Sequence, residues 1–173
     1  MEARLQQIAA SVSDWVKFAE SKNAAIVAFD GVAVFGIVNI LKGLANPLGG
    51  VARVGVYCTV ALLLLSVLFS LCSFIPNIRI PFLSAHSPCH AHDNLVYYGH
   101  IAKYDSYTYI ASLCQHMAVD VKALNAIERY YAQQIVESAG IALQKYRIFS
   151  CSVSMTILAL LIACVSGTLY LMT

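Results

Sequence analysis

Val-Ala-Leu-Leu-Leu-Leu-Ser-Val-Leu-Phe-Ser-Leu, residues 60–71, is the stretch on which the fold turns. It lies in a run of 25 residues, between Arg53 and Arg79, that carries no formal charge. A helix needs about 20 mainly apolar residues to cross a bilayer, so residues 54–75 read as a span. A second uncharged run of 26 residues follows Arg147 and gives a span at 149–171. Upstream, the 19 residues between Lys22 and Lys42 hold one charge, Asp30, together with Asn39. They give a further span at 24–42.

The composition agrees. Of 173 residues, 60% are apolar and 12% charged, against roughly 45–50% and about 25% in a soluble domain. A chain this short has too little interior to hide that much hydrocarbon. A soluble enzyme and a disordered tail are thereby excluded. The net charge of +2 is too small for a surface that tracks phosphates, so no nucleic-acid partner is expected. The first apolar segment begins behind an amphipathic stretch rather than a short basic region, which argues against a signal peptide. No lipidation signal stands out.

Lysines and arginines set the orientation. Arg4, Lys17, Lys22, Arg79, Lys103, Lys122, Arg129, Lys145 and Arg147 fall on one side of a three-span chain, Lys42 and Arg53 on the other. The N-terminus and residues 76–147 are therefore expected in the cytosol and the C-terminus outside, in the periplasm. The expected fold is an all-α membrane protein. Residues 1–22 form a cytosolic amphipathic helix and 23–75 a transmembrane hairpin closed by a turn-rich loop. Residues 76–147 supply a loop and a helical module, and 148–173 the third transmembrane helix. The six cysteines fall in spans or on the reducing inner side, so they read as small apolar fillers rather than disulfides.

On the first helix Leu5, Ile8, Val12, Trp15, Val16 and Ala19 share a face. This face either lies in the headgroup plane or packs on the other inner helices and continues into the first span. Prolines break residues 76–94, and Asn94–Tyr104 reads as a short strand or extended run. Asp105 or Ser106 caps a helix through about Met117. From Val119 the helical pattern runs without a proline into the third span, as one rod of about 53 residues.

The cluster His86-Ser-Pro-Cys-His90-Ala-His92-Asp93 has zinc-ligand residue types but no second pair at a fixed spacing, so it also reads as a polar loop near the membrane. No metal is assigned. Asp30 is either a gating, pore-lining or inter-subunit position, or a neutral side chain bonded to a neighbouring helix. Ala159, Ala163 and Gly167 form a small-residue stripe, as do Ala24 and Ala28, suited to packing within the chain or between copies. Tyr97, Tyr98, His100, Lys103, Tyr104, Tyr107 and Tyr109, with Lys145 and Arg147, are what a mononucleotide pocket needs: rings for a base, cations for a phosphate. The same set suits a membrane-interface belt. No nucleophile-elbow, Walker, HExxH or GxGxxG pattern appears, so neither catalytic residues nor a cofactor is expected.

Three blocks resemble the small membrane effectors of bacterial Pycsar antiphage defence. They are Phe-Ala-Glu-Ser-Lys-Asn-Ala-Ala-Ile-Val-Ala-Phe-Asp-Gly (18–31), Tyr-Tyr-Gly-His-Ile-Ala-Lys-Tyr-Asp-Ser-Tyr-Thr-Tyr-Ile-Ala-Ser-Leu (97–113), and the helix from Asp120 that ends Lys-Tyr-Arg-Ile-Phe (145–149). Asp30 stands where that family usually has Asn, and residues 76–96 match none of its patterns. The resemblance implies an effector that responds to cyclic UMP or cyclic CMP made by a pyrimidine nucleotide cyclase. It implies damage to the inner membrane and abortive infection by a homo-oligomer acting on the lipid bilayer. Under this reading Tyr97, Tyr98 and Tyr104 meet the base, and Lys103, Lys145 or Arg147 the phosphate. The competing readings are a non-sensory membrane scaffold whose inner helices bind a protein, and a zinc enzyme built on residues 86–93.

Overall fold

The periodicity of residues 2–21 leads straight into the first apolar run, and the two form one helix. In the computed structural model, which describes residues 1–43, 49–75, 88–90 and 92–171, α1 is Glu2–Gly43 and α2 is Gly50–Cys72. A single turn, α3 (Tyr98–Ile101), precedes α4 (Ser106–His116). A 3-10 turn at Val121–Ala123 then leads to α5, Ala126–Leu171. No strand occurs among the described residues. Three helices, α1, α2 and α5, are long and apolar enough to cross a membrane. The chain is thus an all-α membrane protein. None of its six cysteines is in a disulfide.

Two expectations are corrected. Asn94–Tyr104 is not extended. The Asn94 side chain accepts from the Val96 N–H at 2.9 Å, an Asx turn that bends the chain into α3. The helix expected from Val119 begins later, at Ala126. Asn125 Oδ1 accepts from the Glu128 N–H at 2.8 Å, and Glu128 Oε2 accepts from the Asn125 N–H at 3.0 Å. This reciprocal capping box starts α5 and leaves it 46 residues long.

The chain divides into two compact units, Met1–Glu20 with Arg79–Arg147 and Ser21–Ile78 with Ile148–Thr173. In the first, Leu5, Ile8, Val12 and Ala19 of α1 are buried, as the helical period requires. Leu5, Ile8 and Val12 pack with Ile101, Ile110, Leu113, Leu124 and Ile135 around the fully buried Tyr109. Each such side chain contributes about 1.5–3 kcal/mol on leaving water. The Tyr109 hydroxyl donates to the Leu95 carbonyl at 3.0 Å, so the core ring carries no orphan polar atom.

The second unit inverts that pattern. Its buried residues are mostly small or polar: Asn23 and Asp30 of α1, Ala52, Thr59, Ser66 and Ser70 of α2 with Ser73 after it, and Ser152, Thr156, Ala159 and Ser166 of α5, with Leu63 and Ile148 the large exceptions. Phe29, Val32, Phe35, Leu64, Leu68 and Leu161 face outward. Lipid is as apolar as leucine, so helices in a bilayer gain most by close approach and hydrogen bonding, which puts small and hydroxyl residues inside. The Thr156 hydroxyl lies 2.9 Å from Asp30 Oδ1 and 3.1 Å from the Ser152 carbonyl. The Ser66 hydroxyl joins them, 3.0 Å from Thr156 Oγ1 and 3.0 Å from the Ser152 carbonyl. At Gly55 α2 runs so close to α5 that an added Cβ would fall on Ser166 Oγ.

The stripe expected on α5 is only partly the packed one. Ala159 is buried and Ala163 half-buried, but Gly167 is exposed, with no neighbour within 4 Å of where a Cβ would stand. The inward face carries Ser152, Thr156 and Ser166 instead. Ala24 and Ala28 likewise lie outside the α1 seam, which runs through Asn23 and Asp30. The filler reading holds for buried Cys114; Cys58, Cys89 and Cys164 are exposed.

Candidate functional site

Polar residues of the first unit converge on Asp93. Its Oδ1 accepts from the Lys103 ammonium at 2.8 Å. Its Oδ2 accepts from the His90 backbone N–H at 2.9 Å and from the Tyr104 hydroxyl at 3.3 Å. The Asp93 side chain is 4% exposed and that of Lys103 16%, so the pair is shielded from bulk solvent. The Lys103 bond and then the His90 N–H hold the carboxyl at about 2, below its ordinary 3.8, against the opposing effect of burial. Burial first, and then the Asp93 charge, push the Tyr104 phenol up.

His100 Nδ1 lies 3.7 Å from Asp93 Oδ1. The same nitrogen accepts a 2.8 Å bond from the Asn94 N–H. A ring nitrogen that accepts carries no proton, so this contact is not an ion pair and the ring hydrogen sits on Nε2.

From His100 an aromatic chain continues. Tyr97 meets His100 edge-on at 5.4 Å between centroids and Tyr98 at 4.6 Å. Tyr98 stacks on Tyr146 at 5.0 Å and touches Trp15 at 5.4 Å. Tyr97 and Trp15 are partly exposed, whereas Tyr98 is buried, which raises its phenol pKa. Gly99 leaves room for the Tyr97 ring: a Cβ on it would come within 2.6 Å of that ring, which would have to shift.

On the other side of Tyr104 lies a half-open cavity of about 390 Å³. Its polar lining comes from His90, Asp93 and Tyr104 and from Ser112, Gln115 and His116 of α4. The Asp105 side chain caps α4 by accepting from the Tyr107 and Thr108 N–H groups at 2.9 and 3.0 Å. Those bonds begin the register that brings Ser112, Gln115 and His116 to one face.

The structure places the expected site residues in three groups. Tyr97 and Tyr98 belong to the aromatic chain, and Lys103 and Tyr104 surround Asp93. Lys145 bonds Glu20 at 2.9 Å. Arg147, half-buried, is the last residue of the first unit. His86 lies outside the described residues, and no three His, Cys, Asp or Glu side chains converge as a metal site among those described. Sequence reasoning missed Asp93 as the partner of Lys103 and missed the α4 stripe. Ser112, Gln115 and His116 were findable from their i, i+3, i+4 spacing. The Asp93–Lys103 bond depends on how the intervening turn folds.

No curated protein and no solved structure matches the chain. The family model described as the Pycsar effector protein domain matches residues 4–172 of the 173. Nearly the whole chain, both units included, is thus covered, and the protein belongs to the Pycsar effector family.

Proposed function

We propose that this antiphage-defence effector resides in the bacterial inner membrane and is switched by a cyclic pyrimidine mononucleotide, cyclic UMP or cyclic CMP. The observation that carries the reading is the family match over residues 4–172, which spans the membrane helices and the aromatic–basic unit together. The N-terminus and residues 76–147 face the cytosol, where a pyrimidine nucleotide cyclase releases the ligand. The nucleotide binds beside residues 97–109, with tyrosines for the base and Lys103 for the phosphate. Lys145 and Arg147 reinforce the charge. The partly exposed Tyr97 and the Lys103–Asp93 pair support this placement.

Binding favours one packing of the helices over another, which requires a difference in affinity between the two. Both α1 and α5 contribute residues to both units, which gives the ligand a covalent route to the spans. Copies of the chain assemble or rearrange, the bilayer loses integrity, and the infected cell stops before phage are released. No catalytic step is involved. The test is to produce the chain in bacteria with and without a pyrimidine cyclase while a dye follows membrane potential. Depolarisation is expected only when both are present. Unchanged potential with active cyclase would sink the reading.

A further inference from the structure

We propose that the ligand's seat is the cavity between Tyr104 and the last turns of α4, with Gln115 reading the base and Lys103 moving from Asp93 to the phosphate. This rests on the cyclic-nucleotide reading above and assigns the site within it. The volume, about 390 Å³, falls in the lower part of the roughly 300–1,000 Å³ range of small-ligand pockets. It suits one mononucleotide.

The walls offer uncommitted polar groups. Among the described residues the Gln115 amide and the Ser112 hydroxyl make no side-chain hydrogen bond, and both line the cavity. A glutamine amide offers two donors and one acceptor. By turning over it matches the N–H and C=O edge of uracil or the N and NH₂ edge of cytosine. Tyr104 is a prepared wall, because its hydroxyl is fixed by the His90 carbonyl at 3.2 Å and by Asp93 at 3.3 Å. His116 Nδ1 is engaged with the Ser112 carbonyl at 2.8 Å, which leaves Nε2 for the ligand.

The phosphate needs a cation, and the Asp93 arrangement allows one to be released. Lys103 takes Oδ1, while Oδ2 is held separately by the His90 N–H and the Tyr104 hydroxyl. When Lys103 leaves, Asp93 Oδ2 keeps the His90 N–H and shares the single Tyr104 proton with the His90 carbonyl, while Oδ1 gives up its ammonium partner. Lys103 exchanges a carboxylate for a phosphate as its charge-assisted partner. The exchange also releases Asp93 from Lys103, which links occupancy to the shape of this unit.

The experiment uses the full chain in detergent, with cyclic UMP and cyclic CMP as probes, read by calorimetric Kd and by thermal shift. Ser112→Trp fills the cavity, and Gln115→Leu removes the base contact without adding bulk. Tyr130→Ala, which removes an exposed ring of α5 away from the cavity lining, is the control. The expected result is binding to the wild type, loss with Ser112→Trp, at least about a tenfold weaker Kd with Gln115→Leu, and little change with Tyr130→Ala. Gln115→Leu keeps the test decisive if Ser112→Trp fails to fold. Wild-type binding that survives both α4 substitutions would overturn the site and leave the proposed function standing. No binding of either nucleotide to the wild type would overturn both.

Discussion

The Thr156 hydroxyl holds the fully buried Asp30 carboxyl at 2.9 Å, across 126 positions of sequence, inside the apolar unit. Among the described residues this hydroxyl is the partner that Asp30 has. Burying a carboxyl without a hydrogen bond is costly in any apolar surrounding. The pair is therefore an internal tie between α1 and α5.

Replacing Thr156 by Val keeps the shape and strands the carboxyl. The expected loss is about 1–2 kcal/mol of stability, read by denaturation in mixed micelles. Thr156→Ser keeps the hydroxyl, and Asp30→Asn keeps an acceptor, so each should lose far less. A double-mutant cycle of Asp30→Leu with Thr156→Val should show coupling. Additive losses would mean that the two side chains do not stabilise each other.

Gly55 sets the spacing of α2 and α5. A Cβ there would overlap Ser166 Oγ, which is itself bonded to the Ile162 carbonyl at 2.8 Å. Gly55→Ala should cost about 1–3 kcal/mol through overpacking. Ser166→Ala in the same chain removes the colliding oxygen and should restore most of the loss. If the double variant melts no higher than Gly55→Ala alone, the contact is not the cause.

Asp93 gives the first unit an acid-sensitive element. Its folded pKa, about 2, lies below the ordinary 3.8, chiefly through Lys103. A depressed carboxylate adds stability that is fully present above the ordinary value and disappears as pH falls through the folded one. The wild type should therefore lose stability between about pH 4 and pH 2. Asp93→Asn should be less stable at neutral pH and flatter across that window. Equal slopes for the two proteins, in unfolding followed against pH, would remove Asp93 from the account.

The spans and the buried face of α1 were legible because each depends on local arithmetic. Charge-free length marks a span, and a 3.6-residue period placed Leu5, Ile8, Val12 and Ala19 inside. The inner seam of the membrane unit was legible only in part because smallness was weighed without hydrogen bonding, and Gly167 stays open between packing within the chain and packing between copies. Ser152, Thr156 and Ser166 are small as well, and they also carry hydroxyls that a dry interface uses. Residues 94–104 misled in another way. Their branched and aromatic side chains suggest a strand, but the Asx turn at Asn94 and the Asn94 N–H bond to His100 fold them back. Of the candidate site, Lys103 and Tyr104 were visible as residue types. The cavity beside them was not, because it arises only where a loop meets α4.

The end of α4 carries a local strain that can be relieved. Ala118 has φ of +53°, the one non-glycine residue with positive φ among those described. It lies just beyond the C-cap Met117, and the Val119 N–H reaches back to the Cys114 carbonyl at 3.0 Å, closing a Schellman-type turn. That conformation crowds Cβ against the backbone and costs an L-residue about 1 kcal/mol or more. Ala118 is exposed, so no packing is lost with its methyl group. Ala118→Gly should therefore raise stability by several tenths of a kcal/mol to about 1 kcal/mol, the relief of strain exceeding the added freedom of the unfolded chain. The gain should appear as slower amide exchange at the end of α4 together with a higher melting temperature. A variant less stable than the wild type would show that the turn tolerates Ala118 without strain.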